Sequence, residues 1–135
     1  MTERFDSALR RFTAALAQFD EIVATPREKA YIVDAAIQRF EFTVEAAWKA
    51  MAGAAEAEGL PAAGPRMALE SALKLGLVED DGAWAAIMKD RNLSTHTYNR
   101  DLAEELYGRL PTHLAHFQKL AENLSAFSAK LPDAE

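Results

Sequence analysis

The stretch YIVDAAIQRFEFTVEAAWKAMAGAA, residues 31–55, decides the fold class of this chain. Its apolar residues recur at spacings of 4, 3, 4, 3 and 4, which is the pattern of one face of an α-helix. The residues of this stripe are Val33, Ile37, Phe40, Val44, Ala47 and Met51. No glycine or proline interrupts the run before Gly53, so the stretch predicts one long helix.

The start of this helix is predicted from the residues just before it. Thr25, Pro26 and Glu28 supply an N-cap hydroxyl, a proline suited to the first turn and a carboxylate three residues past the cap. We therefore predict that the helix begins at Thr25 and runs for about 33 residues, a rod of roughly 50 Å.

Further apolar stripes on either side predict four more helices. They are a helix ending near Ala24, a short helix opened by Pro65 and closed by Gly76, a helix from the acids at 79–81 to about residues 92–95, and a helix after Asn99 with Pro111 inside it as a kink. The inward positions of these stripes predict the core residues Phe12, Leu16, Ile37, Phe40, Val44, Trp84, Leu106 and Phe117.

The composition agrees with an all-α fold. The chain has 28 Ala and 15 Leu against 8 Ile plus Val, and Ala and Leu lose least on entering a helix. We predict a single domain over residues 1–135, an up-and-down bundle of about five helices with a four-helix core.

Composition also limits the classes of function. The chain has no Cys, which excludes disulfides and thiolate metal sites. Its charged start and the lack of any long apolar window predict a cytoplasmic protein without a membrane span. The net charge of -6 opposes phosphate binding over the whole surface, so RNA would need a local patch.

Cofactor and metal sites are not indicated by the motifs. No glycine-rich phosphate loop occurs, and we predict no cofactor. His113 and His116 stand three apart on a predicted helix, but no carboxylate at helical spacing completes a metal site. We therefore predict no metal and place both histidines on a solvated or amphipathic helix face.

The segment RNLSTHTY, residues 91–98, has the highest density of functional groups in the sequence. Arg91 is a natural phosphate anchor, and His96 is of a type that takes or gives a proton near neutral pH. Asn92 and His96 would share a helix face, whereas Arg91 and His96 converge only if the helix ends there or the long Arg side chain reaches round. The segment is thus a catalytic or phosphate-binding site, or a junction whose side chains cap backbone groups.

These residues, taken with others, resemble a known family. The chain is similar to the nucleotidyltransferase substrate-binding subunits of the HEPN superfamily, from about residue 31 to 107. The matching motifs are AIQRFEF with Glu45, Trp48 and Lys49, then Gly64-Pro65-Arg66, GLVED at 76–80, Trp84, and Arg91-Asn92 through His96 and Tyr98.

The resemblance implies a dimeric five-helix bundle that pairs with a separately encoded minimal nucleotidyltransferase, as in toxin-antitoxin systems. In one version it is a non-catalytic substrate-binding or partner subunit. In the other, Arg91, Asn92 and His96 form a metal-independent ribonuclease site that the partner silences by adenylylating Tyr98. A plain dimeric scaffold is a third hypothesis.

The matching residues of the long helix form the second part of the predicted site. We expect substrate or partner binding from Arg39, Glu41, Glu45, Trp48 and Lys49. The alternative is that Glu41 and Glu45, four apart on one helix face, are solvent-facing acids or ion-pair partners of Arg39 and Lys49.

Overall fold

The computed structural model describes residues 2–132, and within them every regular element is helical. The helices are α1 (Thr2–Val23), α2 (Ala30–Ala57), α3 (Gly64–Lys74), α4 (Asp81–Leu93), a 3₁₀ turn (Ser94–His96) and α5 (Arg100–Lys130). The predicted all-α bundle is confirmed. Over these residues, no helix combines the length and apolarity that a membrane crossing requires.

The directions of the helices follow from their contacts. Phe5 at the start of α1 packs edge-on against Phe127 at the end of α5, with ring centroids 5.6 Å apart, whereas Phe19 near the end of α1 meets Phe117 at 5.8 Å. Helices α1 and α5 are therefore antiparallel. Arg4 at the start of α1 pairs with Glu56 at the end of α2, and along α4 Trp84 meets Phe117 whereas Asp90 meets Arg109, so α2 is antiparallel to α1 and α4 to α5. The order is therefore up, down, up, down, and α3 packs on α2 within the connection to α4.

The predicted core is confirmed. Each of the eight expected residues is less than a tenth exposed, and the rings of Phe19, Phe40, Trp84 and Phe117 form a connected cluster where α1, α2, α4 and α5 meet. Phe40 of this cluster also stacks on His113 of α5, which bonds Asp90 near the end of α4.

The other helix ends agree with the sequence patterns. Gly76 takes a φ of 76° after α3, and only glycine adopts this left-handed conformation without strain. The carboxylate of Asp80 accepts a hydrogen bond from the N–H of Ala83 at the start of α4, and Asn99 caps α5. Helix α5 continues through the exposed Pro111.

The predicted start of the long helix is wrong. Helix α2 begins at Ala30, so it has 28 residues and a length of about 42 Å. The hydroxyl of Thr25 donates to the carbonyl of Glu21 at the end of α1 (2.8 Å), so it caps the preceding helix. Arg27 binds Glu104 of α5, which holds this connection against another part of the bundle.

Candidate functional site

The RNLSTHTY segment forms the junction between α4 and α5, because its hydroxyl groups satisfy carbonyls that the end of α4 leaves free. The Ser94 hydroxyl lies 2.6 Å from the Arg91 carbonyl, Thr95 donates to Asn92 at 3.0 Å, and Thr97 donates to the carbonyl of Ser94 at 2.9 Å. Helix α4 therefore ends at Leu93, between Arg91 and His96.

Arg91 points from this junction toward two carboxylates of α2. Its Nη1 lies 3.4 Å from Glu41 Oε2 and 3.2 Å from the Ser94 hydroxyl, and its Nη2 lies 3.7 Å from Glu45 Oε1. The side chain is 29% exposed, and its Nε is buried without a hydrogen-bond partner in the described part of the chain. Arg91 is thus held by long contacts that leave one of its donors unused.

The two glutamates of α2 have a different ion-pair partner from those suggested by the sequence. Glu41 and Glu45 pair with Arg91 of α4 and not with Arg39 or Lys49, because the turn of α2 that carries them faces α4. Arg39 lies on the side of α2 that faces α1, where its Nη1 donates to the carbonyl of Gln18 (3.0 Å). The structure therefore separates Arg39 from the other predicted binding residues.

Several of the predicted residues line a groove of about 880 Å³ between α2, α3 and α4. We call it the motif groove; it is lined by Val44, Glu45, Trp48, Pro65, Arg66, Leu69, Ala85, Met88, Lys89, Arg91, Asn92 and Thr95. Trp48 is half-buried and donates its indole N–H to Glu45 Oε2 (3.0 Å), while Lys49 lies 5.9 Å from the centre of its ring. Arg91 and Asn92 share this groove with Trp48.

Tyr98 and His96 lie on the other side of the Arg91 and Glu41 contact. Tyr98 is 85% exposed and borders a second groove of about 650 Å³, the tyrosine groove, which is lined by Tyr31, Asp34, Ala35, Ile37, Gln38, Glu41, Ser94, Thr97, Tyr98 and Arg100. The exposed His96 meets the Tyr98 ring edge-on, with centroids 6.0 Å apart. The Tyr98 side chain therefore has the exposure that adenylylation by a partner would require.

A buried polar cluster next to Arg91 escaped the sequence analysis. The Asp90 carboxylate accepts two hydrogen bonds from Arg109 of α5, from Nε and Nη2, each of 2.8 Å. It accepts a third from Nε2 of His113 at 2.7 Å, and the His113 ring stacks on Phe40 with centroids 5.4 Å apart. The only signal in the sequence was a lone Asp on an otherwise apolar helix face.

The pKa of Asp90 reflects this environment. Burial by itself raises the pKa of the carboxyl, but the hydrogen bonds and charges of Arg109 and His113 outweigh burial. The pKa of Asp90 is therefore below its ordinary value, and the cluster keeps a carboxylate ionised beneath the junction. The same contact raises the pKa of Arg109.

For His113, the structure excludes the solvated helix face that was one of the two expectations and places the residue on the inward face of α5. His113 is 3% exposed and bound to Asp90, so it belongs to the core and not to a solvated face. His116 is half-buried near the start of α4. Among the residues that the structure describes, no group of three or more His, Asp or Glu side chains is placed to hold a metal ion.

Fold and junction together define the class of protein: an all-helical bundle that carries an Arg-Asn-x-x-x-His-x-Tyr segment between its fourth and fifth helices. The sequence profile of the family described as nucleotidyltransferase substrate binding protein like matches residues 3–126. The chain belongs to this family, which confirms the resemblance.

Individual relatives agree with this assignment. A Haemophilus influenzae protein named probable ribonuclease HepT is 32% identical over 98 residues, which cover 69% of this chain and 67% of that protein. A crystal structure from Thermus thermophilus is 35% identical with a TM-score of 0.77, covering 84% of this chain and 98% of that one. A Haemophilus influenzae structure described as a substrate-binding domain of a nucleotidyltransferase is 25% identical with a TM-score of 0.62, covering 93% and 99%.

Proposed function

We propose that this chain is the helical subunit of a two-component system of toxin-antitoxin type, and that a separately encoded minimal nucleotidyltransferase acts on Tyr98. The observation that carries the proposal is the exposure of Tyr98, which is 85% at the edge of an open groove. A tyrosine that only packed the junction would be buried. Family membership and the Haemophilus relative described as a nucleotidyltransferase's substrate-binding domain support the kind of partner.

The reaction at Tyr98 is adenylyl transfer. The phenol oxygen attacks the α-phosphorus of ATP, the bond from that phosphorus to the β-phosphate oxygen breaks, and pyrophosphate leaves. The phenol loses its proton in the process. All the catalytic groups for this step belong to the partner, and this chain supplies an accessible hydroxyl.

Intact-mass spectrometry tests this proposal. Incubation with the cognate nucleotidyltransferase and ATP should add AMP to the chain, and Tyr98→Phe should abolish the addition. Tyr31→Phe is the matched control, because Tyr31 is 64% exposed and borders the same groove. An active partner that leaves the wild-type chain unmodified, or modifies Tyr98→Phe equally, would show that Tyr98 is not the acceptor.

A second candidate function is a metal-independent ribonuclease built from Arg91, Asn92 and His96. Two observations favour it: the relative named probable ribonuclease HepT, and the loose pairing of Arg91. Contacts of 3.4 and 3.7 Å are weak compared with the 2.8 Å bonds of Arg109, so a phosphate oxygen could replace the carboxylates around Arg91.

Each residue has a definite role in this candidate reaction. His96 takes the proton of a ribose 2′-hydroxyl, the 2′-oxygen attacks the adjacent phosphorus, and the bond to the 5′-oxygen breaks. The 5′-oxygen takes up a proton, which leaves a 2′,3′-cyclic phosphate and a 5′-hydroxyl. Arg91 stabilises the charge that develops on the phosphate, and Asn92 orients the reacting groups.

The ribonuclease candidate predicts an activity that EDTA does not inhibit. Arg91→Ala or His96→Ala should lower it by about 10² fold or more, because charge stabilisation and general acid-base catalysis each contribute on that order. His116→Ala is the matched control and should retain it. Unmodified wild-type protein that leaves single-stranded RNA intact would reject the ribonuclease. A loss of dimerisation in His96→Ala, without any cleavage by either protein, would favour a scaffold.

A further inference from the structure

Two grooves of this chain meet at a single side chain, Trp48. The motif groove lies on one side. A groove of about 530 Å³ on the other side, here called the N-terminal groove, is lined by Arg4, Ser7, Ala8, Arg11, Trp48, Lys49, Ala52, Gly53, Glu56, Ala62 and Gly64. Trp48 is the one residue common to both lining sets, and Gly64 of one groove precedes Pro65 of the other. The two grooves therefore adjoin at Trp48, and together their lining residues extend from α1 to the Arg91 and Asn92 pair.

The charge of the two grooves is opposite to that of the chain. Among the described residues, six Lys and Arg side chains line the two grooves, whereas two acids, Glu45 and Glu56, do so. We call these six residues the cationic track; they are Arg4, Arg11, Lys49, Arg66, Lys89 and Arg91. The tyrosine groove, in contrast, has two acids and one cation, Asp34, Glu41 and Arg100.

Internal ion pairs leave most of the track available to an anion. Arg4 pairs with Glu56 at 3.4 Å and Arg66 with Glu70 at 3.3 Å, but both arginines are more than four-fifths exposed, and such surface pairs are weak. Arg11 and Lys89 form no ion pair within the described part of the chain. The track therefore has unneutralised positive charge, although the chain carries a net charge of -6.

The floor of the grooves adds a surface suited to flat rings. Val44, Leu69 and Met88 give the motif groove an apolar wall, and the bond from Trp48 to Glu45 fixes the orientation of the indole. A half-buried indole between cations is the combination by which proteins bind single strands: bases stack on the aromatic ring, and cations neutralise the backbone.

We propose that the cationic track with Trp48 at its centre binds single-stranded RNA and leads it to Arg91 and Asn92, at the edge of the junction that carries His96. This proposal rests on the ribonuclease candidate above and supplies its binding surface. A duplex presents its bases only at groove edges and cannot stack them on a recessed indole, so the track favours an unpaired strand.

Binding can be measured separately from cleavage. We suggest fluorescence anisotropy of a short fluorescein-labelled oligouridylate with the His96→Ala protein, which binds without cutting. When Arg11→Glu and Lys89→Glu are introduced into this His96→Ala parent protein, its affinity for the oligouridylate should fall more than about 10-fold near 50 mM salt. The two substitutions should also reduce the slope of log affinity against log salt by roughly 1.4, which is two phosphate contacts at about 0.7 each.

The matched control carries Lys74→Glu and Lys130→Glu, because these two lysines are exposed and lie outside both grooves. It changes the net charge equally and should alter affinity less than about 3-fold. If both double variants bind alike, or if the parent protein does not bind, the proposal is wrong. Tighter binding of duplex RNA than of the single strand would also contradict the proposal. So would weaker nucleotidyltransferase binding by the Arg11→Glu, Lys89→Glu variant while its RNA binding is unchanged.

Tryptophan fluorescence tests the role of the indole. The chain has two tryptophans, and the other, Trp84, is 3% exposed. RNA should quench the emission of the parent protein, and Trp48→Phe should abolish the quenching but retain most of the affinity because a ring remains. Quenching that persists in Trp48→Phe would overturn the assignment of Trp48.

The two proposals can fail independently. RNA binding that depends on the track, with no cleavage by wild-type protein, would reject the ribonuclease and leave the track standing. Cleavage by wild-type protein that is unaffected by Arg11→Glu with Lys89→Glu would reject the track and leave the ribonuclease standing.

Discussion

Asp90 is the polar residue whose loss should cost this fold the most. Its side chain is 5% exposed and accepts three hydrogen bonds, from Arg109 and the buried His113. In Asp90→Asn one of the two acceptor oxygens becomes an NH₂ group, which cannot accept the hydrogen bonds that these residues donate. Breaking a fully buried ion pair costs about 3 to 5 kcal/mol. Arg109 is 44% exposed and can regain water, which places the cost at the lower end. We therefore expect a loss of about 3 kcal/mol in the free energy of unfolding.

Urea unfolding at pH 7, followed by helical circular dichroism, measures this loss. The matched control is Asp34→Asn, which removes an aspartate that bonds Arg100 at a similar distance, 2.9 Å, but with both side chains about half exposed. An exposed pair contributes at most about 1 kcal/mol. A loss in Asp90→Asn below about 1 kcal/mol, or no larger than that of the control, would refute the reasoning.

The same variant has a predicted pH dependence. Because the pKa of Asp90 is lower in the folded chain than in the unfolded chain, its stabilisation is complete above the unfolded value of about 3.9. It is lost as the pH falls through the lower folded pKa. The stability difference between wild type and Asp90→Asn should therefore stay constant from pH 7 to about pH 5 and narrow below about pH 4. A difference that widens in acid would contradict this sign.

Two further predictions concern packing and assembly. Gly53→Ala should destabilise the chain by about 1 to 2 kcal/mol, because the new Cβ would lie 2.9 Å from the Phe5 Cα. Gly108→Ala meets nothing within 4 Å and should stabilise α5 by about 0.5 to 1 kcal/mol. Changes of opposite sign in the free energy of urea unfolding would confirm both. Light scattering at micromolar concentration should show a dimer, and Phe42→Asp should shift it toward monomer, because Phe42 is 55% exposed on α2. A wild-type monomer at every accessible concentration would contradict the dimer.

Local patterns were sufficient to predict most of the fold. The stripes through Phe12, Phe40 and Phe117 give the inward faces correctly because each depends only on spacing within one helix. The start of α2 was predicted wrongly although the local pattern was strong. The hydroxyl of Thr25 is used by α1, and Arg27 is bound by a glutamate 77 residues away, a contact that no local pattern contains.

The sequence predicted which residues belong to the candidate site but not which of them contact each other. The density of functional groups in residues 91–98 pointed to the junction, and the structure ends α4 there. The pairing of Glu41 with Arg91 was not predicted, because the two residues are 50 positions apart in the chain. The Asp90 cluster was missed for the same reason, since Arg109 and His113 follow by 19 and 23 residues on another helix.

Asp90 and Arg91 are neighbours in the chain, yet their contacts differ in kind. Asp90 is bound by short bonds of 2.7 to 2.8 Å to α5, and these fix the end of α4 against the core. Arg91 is held by contacts of 3.2 to 3.7 Å to α2 and the Ser94 hydroxyl, at the border of an open groove. The backbone position of Arg91 is therefore set by the buried aspartate, while its guanidinium remains free to exchange partners. For the ribonuclease proposed above, this combination would favour phosphate binding, because the backbone of Arg91 is anchored while the carboxylate partners of its guanidinium can be displaced.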